Sequence, residues 1–155
     1  MMQSALNPGL YAITDERLTA PEHLAHCVGE AIAGGATVIQ YRNKQGTAAQ
    51  RQQQAGALLQ LCRQQHIPLL VNDDITLAAS IKADGVHLGA DDLPVGIVRA
   101  AAPRGFLIGA STDEPALAKK LRGEGADYIG CGAVFPTSTK KDAGEVIGVE
   151  GLARV

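Results

Sequence analysis

Pro68-Leu69-Leu70-Val71-Asn72-Asp73-Asp74, followed after a short helical pattern by Asp84-Gly85-Val86-His87-Leu88-Gly89-Ala90-Asp91-Asp92-Leu93-Pro94, is the stretch whose reading decides the fold. Twice a brief apolar run ends in polar residues that include carboxylates, which is how a buried parallel strand delivers side chains to the rim of an α/β fold. On neighbouring strands, Asp73 and Asp92 would both stand beyond the carboxyl ends, where hard oxygen ligands suit Mg²⁺ and, through it, a phosphate. Asn72, Asp73 and Asp74 equally suit a plainer role as caps of the following helix, because Asn and Asp are favoured there. These residues alone leave both readings open.

The pattern repeats on either side. Upstream, Gly9 to Thr14 reads as a strand running into the turn Thr14-Asp15-Glu16-Arg17, and Pro21 opens a helix on Leu24, Cys27, Val28, Ala31 and Ile32 that Gly34-Gly35 stop. Thr37-Val38-Ile39-Gln40-Tyr41 is rich in β-branched residues and predicts a second strand. Arg42, Asn43 and Lys44 come directly after it, ahead of Gly46 and a helix from Thr47 to Gln65 whose glutamine-rich face reads as solvated. Downstream, Val95 to Ala101 suits a brief helix and Phe106 to Ala110 a fifth strand ending at Ser111-Thr112. Pro115 starts a helix closed by Gly123 and Gly125, and Asp127 to Gly132 is a sixth strand. A loop over 133–147, rich in Gly, Pro and Thr, has the composition of a lid, and Val149 to Leu152 opens another helix.

Strand and helix patterns that alternate without a break predict an α/β fold with a parallel sheet and crossover helices, as a single domain over residues 1–155. An open doubly wound sheet and a (β/α)₈ TIM barrel compete. The turn after the first strand lacks the Gly-x-Gly-x-x-Gly of a dinucleotide site, and polar residues end most strands instead of gathering at one crevice, which favours the barrel. Only about six βα units are present, whereas a closed barrel takes roughly 200 residues or more. The chain is therefore expected to be the front part of a longer protein, since six units would leave bare sheet edges.

Composition narrows the function classes. The net charge is −2 and no Lys/Arg stripe forms, so a nucleic-acid surface is not expected. Cys27, Cys62 and Cys131 are odd in number and widely spaced, which suggests reduced thiols and neither a disulfide framework nor a zinc site. No apolar run approaches the roughly 20 residues that span a bilayer. The expectation is a cytoplasmic protein that acts on small molecules without a membrane or nucleic-acid partner; the sequence is compatible with a homo-oligomer.

Several blocks, in order, carry a resemblance. They are Leu10-Tyr11-Ala12-Ile13-Thr14-Asp15, Gln40-Tyr41-Arg42-Asn43-Lys44, Val71-Asn72-Asp73, Asp84 to Gly89 with Asp92-Leu93-Pro94, Gly109-Ala110-Ser111-Thr112, and Ala126 to Gly130 with Phe135 to Lys140. Together they cover nearly the whole chain and resemble the thiamine-phosphate synthase family. The resemblance implies a (β/α)₈ barrel that joins hydroxymethylpyrimidine diphosphate to a thiazole phosphate with Mg²⁺, releasing pyrophosphate. It further implies that Gln40, Arg42 and Lys44 grip the pyrimidine diphosphate, with Asn72 and Ser111 also reaching it. Asp73 and Asp92 match the family's Mg²⁺ ligands, Lys140 its pyrophosphate lysine, and Thr137 and Thr139 residues near the thiazole phosphate. Arg42, Lys44, Ser111 and Lys140 are the implied catalytic set. Asn43 departs from the family, where an acidic residue is common, and is expected to matter little because it would point away along the strand.

The chemistry suits these residue types. Expelling pyrophosphate needs its growing charge stabilised more in the transition state than in the ground state. One cation at about 4 Å contributes on the order of 4 kcal/mol at an effective dielectric near 20, so several at one rim would explain a large acceleration. Taken singly, each residue has a duller reading: Arg42 and Lys44 as solvated charges, Ser111-Thr112 as a helix cap, His87 as a hydrogen-bonded core residue, Cys131 as a small buried filler. Two other functions stand beside the synthase. One is a tautomerase-like relative acting on thiazole phosphate, which would not need both carboxylates and the Arg42/Lys44 pair; the other is a non-catalytic phosphate-ligand sensor on the same scaffold.

Overall fold

Strand and helix alternate through the computed structural model, which describes residues 9–138 and 145–155. The strands are β1 (Leu10–Ile13), β2 (Ala36–Tyr41), β3 (Leu69–Asn72), β4 (Gly85–Leu88), β5 (Leu107–Ser111) and β6 (Tyr128–Gly130). The helices are α1 (Leu24–Ala33), α2 (Ala48–Gln64), α3 (Ile75–Ile81), α4 (Val95–Ala101), α5 (Pro115–Gly123) and α6 (Gly148–Leu152). Two compact units result, one running to His87 and including Arg104–Leu107, the other made of Leu88–Pro103 and Ile108–Val155.

In the first unit β1 pairs with β2, β2 with β3 and β3 with β4, all parallel. The period-two alternation of strands sorts their residues. Ile39, Tyr41, Leu69 and Val71 pack in one buried cluster with Leu24 and Val28 of α1, Leu58, Leu59 and Cys62 of α2, and Leu77 and Ala78 of α3. Val38, Gln40, Leu70 and Asn72 alternate with them and so stand on the opposite face, where the register sets Gln40 beside Leu70 and Asn72 beside His87. The helices start and stop where their caps dictate. Thr47 accepts from the Gln50 amide at 3.2 Å while the Gln50 side chain accepts from the Thr47 amide at 2.9 Å, a capping box that starts α2. Gly34 and Gly35 end α1 as expected, Gly35 at a φ of 103° that a side chain would strain. Asp74, not Asn72 or Asp73, caps α3, accepting from the Leu77 amide at 2.8 Å.

In the second unit β5 and β6 are parallel, with Gly109 beside Tyr128 and Ser111 beside Gly130. A Cβ at Gly109 would overlap the ring of Tyr128, so a side chain there would have to displace that ring. Among the unit's described residues Leu88 at the end of β4, Val95 and Val98 of α4, Ile108 and Ala110 of β5, and Ala118 of α5 are buried apolar side chains. The Ile147 amide bonds the Ala133 carbonyl at 2.9 Å, tying the two ends of the loop read as a lid; its central residues 139–144 lie outside the described residues.

Each unit carries the same device at the amino-terminal end of its strands. Asp84, just ahead of β4, accepts from the Leu69 amide at 2.9 Å, and its own amide bonds the Leu69 carbonyl at 3.0 Å. Asp127, just ahead of β6, accepts from the Ile108 amide at 2.7 Å, and its amide bonds the Ile108 carbonyl at 2.7 Å. An arginine reinforces the second clamp: Arg99 donates to Asp127 at 2.6 Å and to the Gly125 carbonyl at 2.8 Å. Among the described residues, no helix is long and apolar enough to cross a membrane.

Candidate active site

The carboxyl ends of β1, β2 and β3 assemble most of the predicted polar residues of the first unit. Gln40, on β2 and 3% exposed, donates from its side-chain amide to the Tyr11 hydroxyl at 2.8 Å. A residue so buried is held in one orientation, which is what reading a planar heterocycle by its edge would require. Asn72 ends β3 on the same face, two residues beyond the Leu70 that sits beside Gln40.

Arg42 follows β2 with a side chain only 13% exposed. Its peptide is held from both sides by one hydroxyl, because the Arg42 amide donates to Thr14 Oγ1 at 2.8 Å and that oxygen donates to the Arg42 carbonyl at 3.0 Å. Among the described residues Asp15 is the one carboxylate within 4 Å of its guanidinium, at 3.9 Å. That contact is ionic and too long for a hydrogen bond. Asp15 is itself forked by Arg17, at 2.6 and 3.0 Å, and this guanidinium beside it holds its carboxyl below the usual range.

Lys44 lies 3.7 Å from Asp73 through its ammonium, and its amide donates to Glu16 at 3.2 Å. Asp73 has a left-handed backbone, φ 62°, fixed by the bond from its amide to the His87 carbonyl at 2.8 Å. Asp is among the few residues that tolerate this region. The neighbouring Asp74 pairs with Arg51 at 3.3 Å. Adjacent carboxylates therefore divide: Asp74 caps a helix, and Asp73 stands at the strand end beside a cation.

The turn that carries Arg42 and Lys44 is built by Asn43, contrary to the expectation that this residue matters little. β2 ends at Tyr41, so Asn43 lies in the turn, where its side-chain oxygen accepts from the Gln45 amide at 3.0 Å and the Gly46 amide at 2.7 Å. Its amide nitrogen donates to Gln54 at 3.0 Å, and Gln54 also accepts from the buried Tyr41 hydroxyl at 2.8 Å. Gln54 is thus a structural strut on the helix face read as solvated. Burial pushes the Tyr41 phenol up to about 12, so it donates at any physiological pH.

In the second unit Asp92 folds back on its own turn, accepting from the Gly89 amide at 2.7 Å. Ser111 ends β5 and is half-buried beside Gly130, and Thr112 accepts from the Glu114 amide at 3.1 Å. Thr137 is exposed, and Thr139 and Lys140 fall outside the described residues. Cys131 is half-exposed and not the buried filler expected of it, although desolvation raises its thiol pKa. Two residues that matter were not singled out from sequence, Thr14 and Asp15. Their signal was present, since they are polar residues at the carboxyl end of a strand, the same pattern that flagged Arg42.

The family model described as thiamine monophosphate synthase matches residues 10–155. The chain belongs to the thiamine monophosphate synthase family. A thiamine-phosphate synthase of Methylobacillus flagellatus is 48% identical over 146 residues, 92% of this chain and 69% of that protein. One of Methanospirillum hungatei is 46% identical over 149 residues, 94% of this chain and 70% of that protein. Among solved structures, thiamine phosphate pyrophosphorylase from Pyrococcus furiosus superposes with a TM-score of 0.79 at 38% identity, covering 97% of this chain and 69% of that one. Family membership gives the strand-end ledge its context. A buried amide, an arginine held at its backbone and a lysine–aspartate pair lie on consecutive strand ends of a chain from a synthase family.

Donor chemistry at Asp73 and Asp92 fits a divalent cation. Both are half-buried carboxylates at turns, hard oxygen donors of the kind Mg²⁺ prefers. Among the described residues no three His, Cys, Asp or Glu side chains group as metal ligands. Mg²⁺ held by one or two carboxylates and completed by substrate phosphate and water needs no such cage.

Proposed function

We propose that this chain is the synthase of its family's name, a transferase that joins the pyrimidine diphosphate to the thiazole phosphate and releases pyrophosphate and thiamine phosphate. The observation that carries the reading is the rim of the first unit, where Gln40, Arg42, Lys44, Asn72 and Asp73 lie at the ends of two consecutive parallel strands. That is the end at which parallel α/β folds place their ligands. The finer reading is a single (β/α)₈ barrel to which these units belong, in a cytoplasmic protein, with Mg²⁺ as cofactor.

Bond changes define what each side chain must do. The carbon–oxygen bond to the diphosphate breaks with its electron pair leaving on oxygen, and the thiazole nitrogen lone pair makes the new carbon–nitrogen bond. No side-chain nucleophile is required. Arg42 and Lys44 stabilise charge as it grows on the departing oxygens, Arg42 through its forked donors and Lys44 as a compact point charge. Lys140 has the same role in this reading, and Thr137 and Thr139 take the thiazole phosphate. Gln40, Asn72 and Ser111 orient the pyrimidine. Bound Mg²⁺ would neutralise phosphate oxygens, with Asp73 and Asp92 to hold it. The Lys44–Asp73 pair supports this arrangement, because a lysine alongside a phosphate-bearing metal site places a second positive charge at the same leaving group.

The relatives named above are synthases, so neither the tautomerase-like nor the sensor reading gains support. The full chain with Mg²⁺ and both phosphorylated precursors should produce thiamine phosphate. Binding of both precursors without product would sink the synthase reading in favour of a sensor.

A further inference from the structure

We infer that Thr14 and Asp15, at the end of β1, are positioning residues for Arg42. The inference rests on the proposed role of Arg42 at the pyrophosphate. A guanidinium grips a diphosphate well only if its planar fork arrives in register, and a long side chain on a free turn loses rotamer entropy at each binding event. Here the turn is not free. Thr14 Oγ1 accepts from the Arg42 amide at 2.8 Å and donates to the Arg42 carbonyl at 3.0 Å, so one hydroxyl uses both its capacities on one peptide. The Thr14 amide continues the ladder to the Gln40 carbonyl at 3.0 Å, which locks the two strand ends together just below the arginine.

Asp15 supplies the back wall. Its carboxylate is 9% exposed and stands 3.9 Å from the Arg42 guanidinium, close enough to attract it and too far to occupy its donors. Arg17 takes three of the roughly four acceptor sites of the carboxylate, with bonds of 2.6, 2.9 and 3.0 Å from its side chain and amide. Asp15 is therefore a fixed charge and not a competitor that would draw Arg42 off a ligand. Asn43 braces the far side of the same turn through the Gln45 and Gly46 amides, so Arg42 is held before any ligand arrives.

The test uses the full chain, with inorganic pyrophosphate as the probe in a calorimetric titration alongside turnover and thermal melting. Thr14→Val keeps the shape and removes the hydroxyl; it should weaken pyrophosphate binding roughly tenfold, the equivalent of about 1.4 kcal/mol. Thr14→Ser should restore most of it. Asp15→Asn keeps the Arg17 hydrogen bonds in part, loses the charge, and should weaken binding in the same direction. In an Arg42→Ala background Thr14→Val should have no further effect on pyrophosphate, which a general structural role would not produce. If Thr14→Val misfolds, Thr14→Ser against Thr14→Ala carries the same comparison. Wild-type affinity in Thr14→Val, or an equal further loss in the Arg42→Ala background, overturns the inference. Active wild type with unaffected variants refutes this inference alone. Inactive wild type that still binds pyrophosphate through Thr14 refutes the synthase reading alone, and a chain that neither turns over nor binds pyrophosphate overturns both.

Discussion

Asp84 and Asp127 stand ahead of their strands, Asp15 and Asp73 behind theirs, and the two ends hold their carboxylates differently. At the amino-terminal ends each carboxylate closes on a backbone amide of the preceding strand, at 2.9 Å for Asp84 and 2.7 Å for Asp127. The acceptor is used up inside the fold. At the carboxyl ends the partners are cations: Arg17 and Arg42 around Asp15, and Lys44 beside Asp73 at 3.7 Å. The Arg42–Asp15 and Lys44–Asp73 contacts, at 3.9 and 3.7 Å, are too long for hydrogen bonds and contribute little to stability. The same residue type therefore serves cohesion at one rim and, in the proposed function, ligand chemistry at the other, a division that parallel α/β folds commonly make.

The largest expected effect tests the ligand rim. Asp73→Asn keeps a residue that tolerates the left-handed backbone at φ 62° and removes only the charge. Its coupling rate should fall by about a hundredfold or more, the scale of losing one transition-state stabiliser, while the melting temperature moves little. Wild-type turnover in this variant would remove Asp73 from the mechanism and erase the contrast between the rims.

Opposite behaviour is expected at the clamps. Asp127→Ala leaves the Ile108 amide without its side-chain acceptor and takes one acceptor from Arg99, which keeps the Gly125 carbonyl, and should lower unfolding free energy by roughly 1–3 kcal/mol, the range for an orphaned buried donor. Asp84→Ala should fall in the lower part of that range, since the Leu69 amide is its side-chain donor. Urea midpoints with unchanged slopes measure both. Turnover per folded molecule should stay at the wild-type level; a selective loss of turnover would show the clamps serving the site directly.

Asp15 sharpens the comparison through pH. Arg17 lowers its folded-state pKa below the unfolded value of about 3.9, so its contribution is present above that pH and is lost as pH falls through the folded pKa. Asp15→Asn should therefore be less stable than wild type near neutrality and converge with it in acid. Parallel stability curves down to the acid limit would mean the Arg17 fork does no electrostatic work.

The strands and the polar residues at their carboxyl ends were legible in the sequence for one reason: an apolar run that ends in polar residues marks both a buried parallel strand and where it stops. Helix α2 was likewise legible as the helical pattern from Thr47 to Gln65, although the capping box of Thr47 and Gln50 that starts it was not read. The clamps were not legible, because an Asp before a strand has the same letter whether it is solvated or bonded to a neighbouring amide, and only the register of β3 with β4 puts Leu69 in reach. Asn43 was misjudged by carrying strand alternation past Tyr41, where the second strand was correctly read to end, which treated a turn residue as a strand residue and sent its side chain the wrong way. Thr14 was legible only as the end of a strand; that its hydroxyl holds the backbone of Arg42 depends on the pairing of Ile13 with Gln40, a long-range fact that the local pattern does not contain.

The smallest effect concerns neighbours and tests whether the distinction between structural and ligand carboxylates holds at single-residue range. Asp74 caps α3 through the Leu77 amide at 2.8 Å and pairs with Arg51 at 3.3 Å. Asp74→Ala removes both and should cost about 1 kcal/mol, the usual worth of an N-cap. Asp74→Asn keeps a capping oxygen and loses only a partly exposed ion pair, so its change should stay within a few tenths to about 1 kcal/mol. Urea unfolding of the two variants separates the cap from the charge. An Asp74→Asn loss as large as that of Asp74→Ala would assign the stabilisation to Arg51, whose Nε is buried without a hydrogen-bond partner among the described residues, and would make the charge pair a tie between α2 and the start of α3 beside their apolar packing.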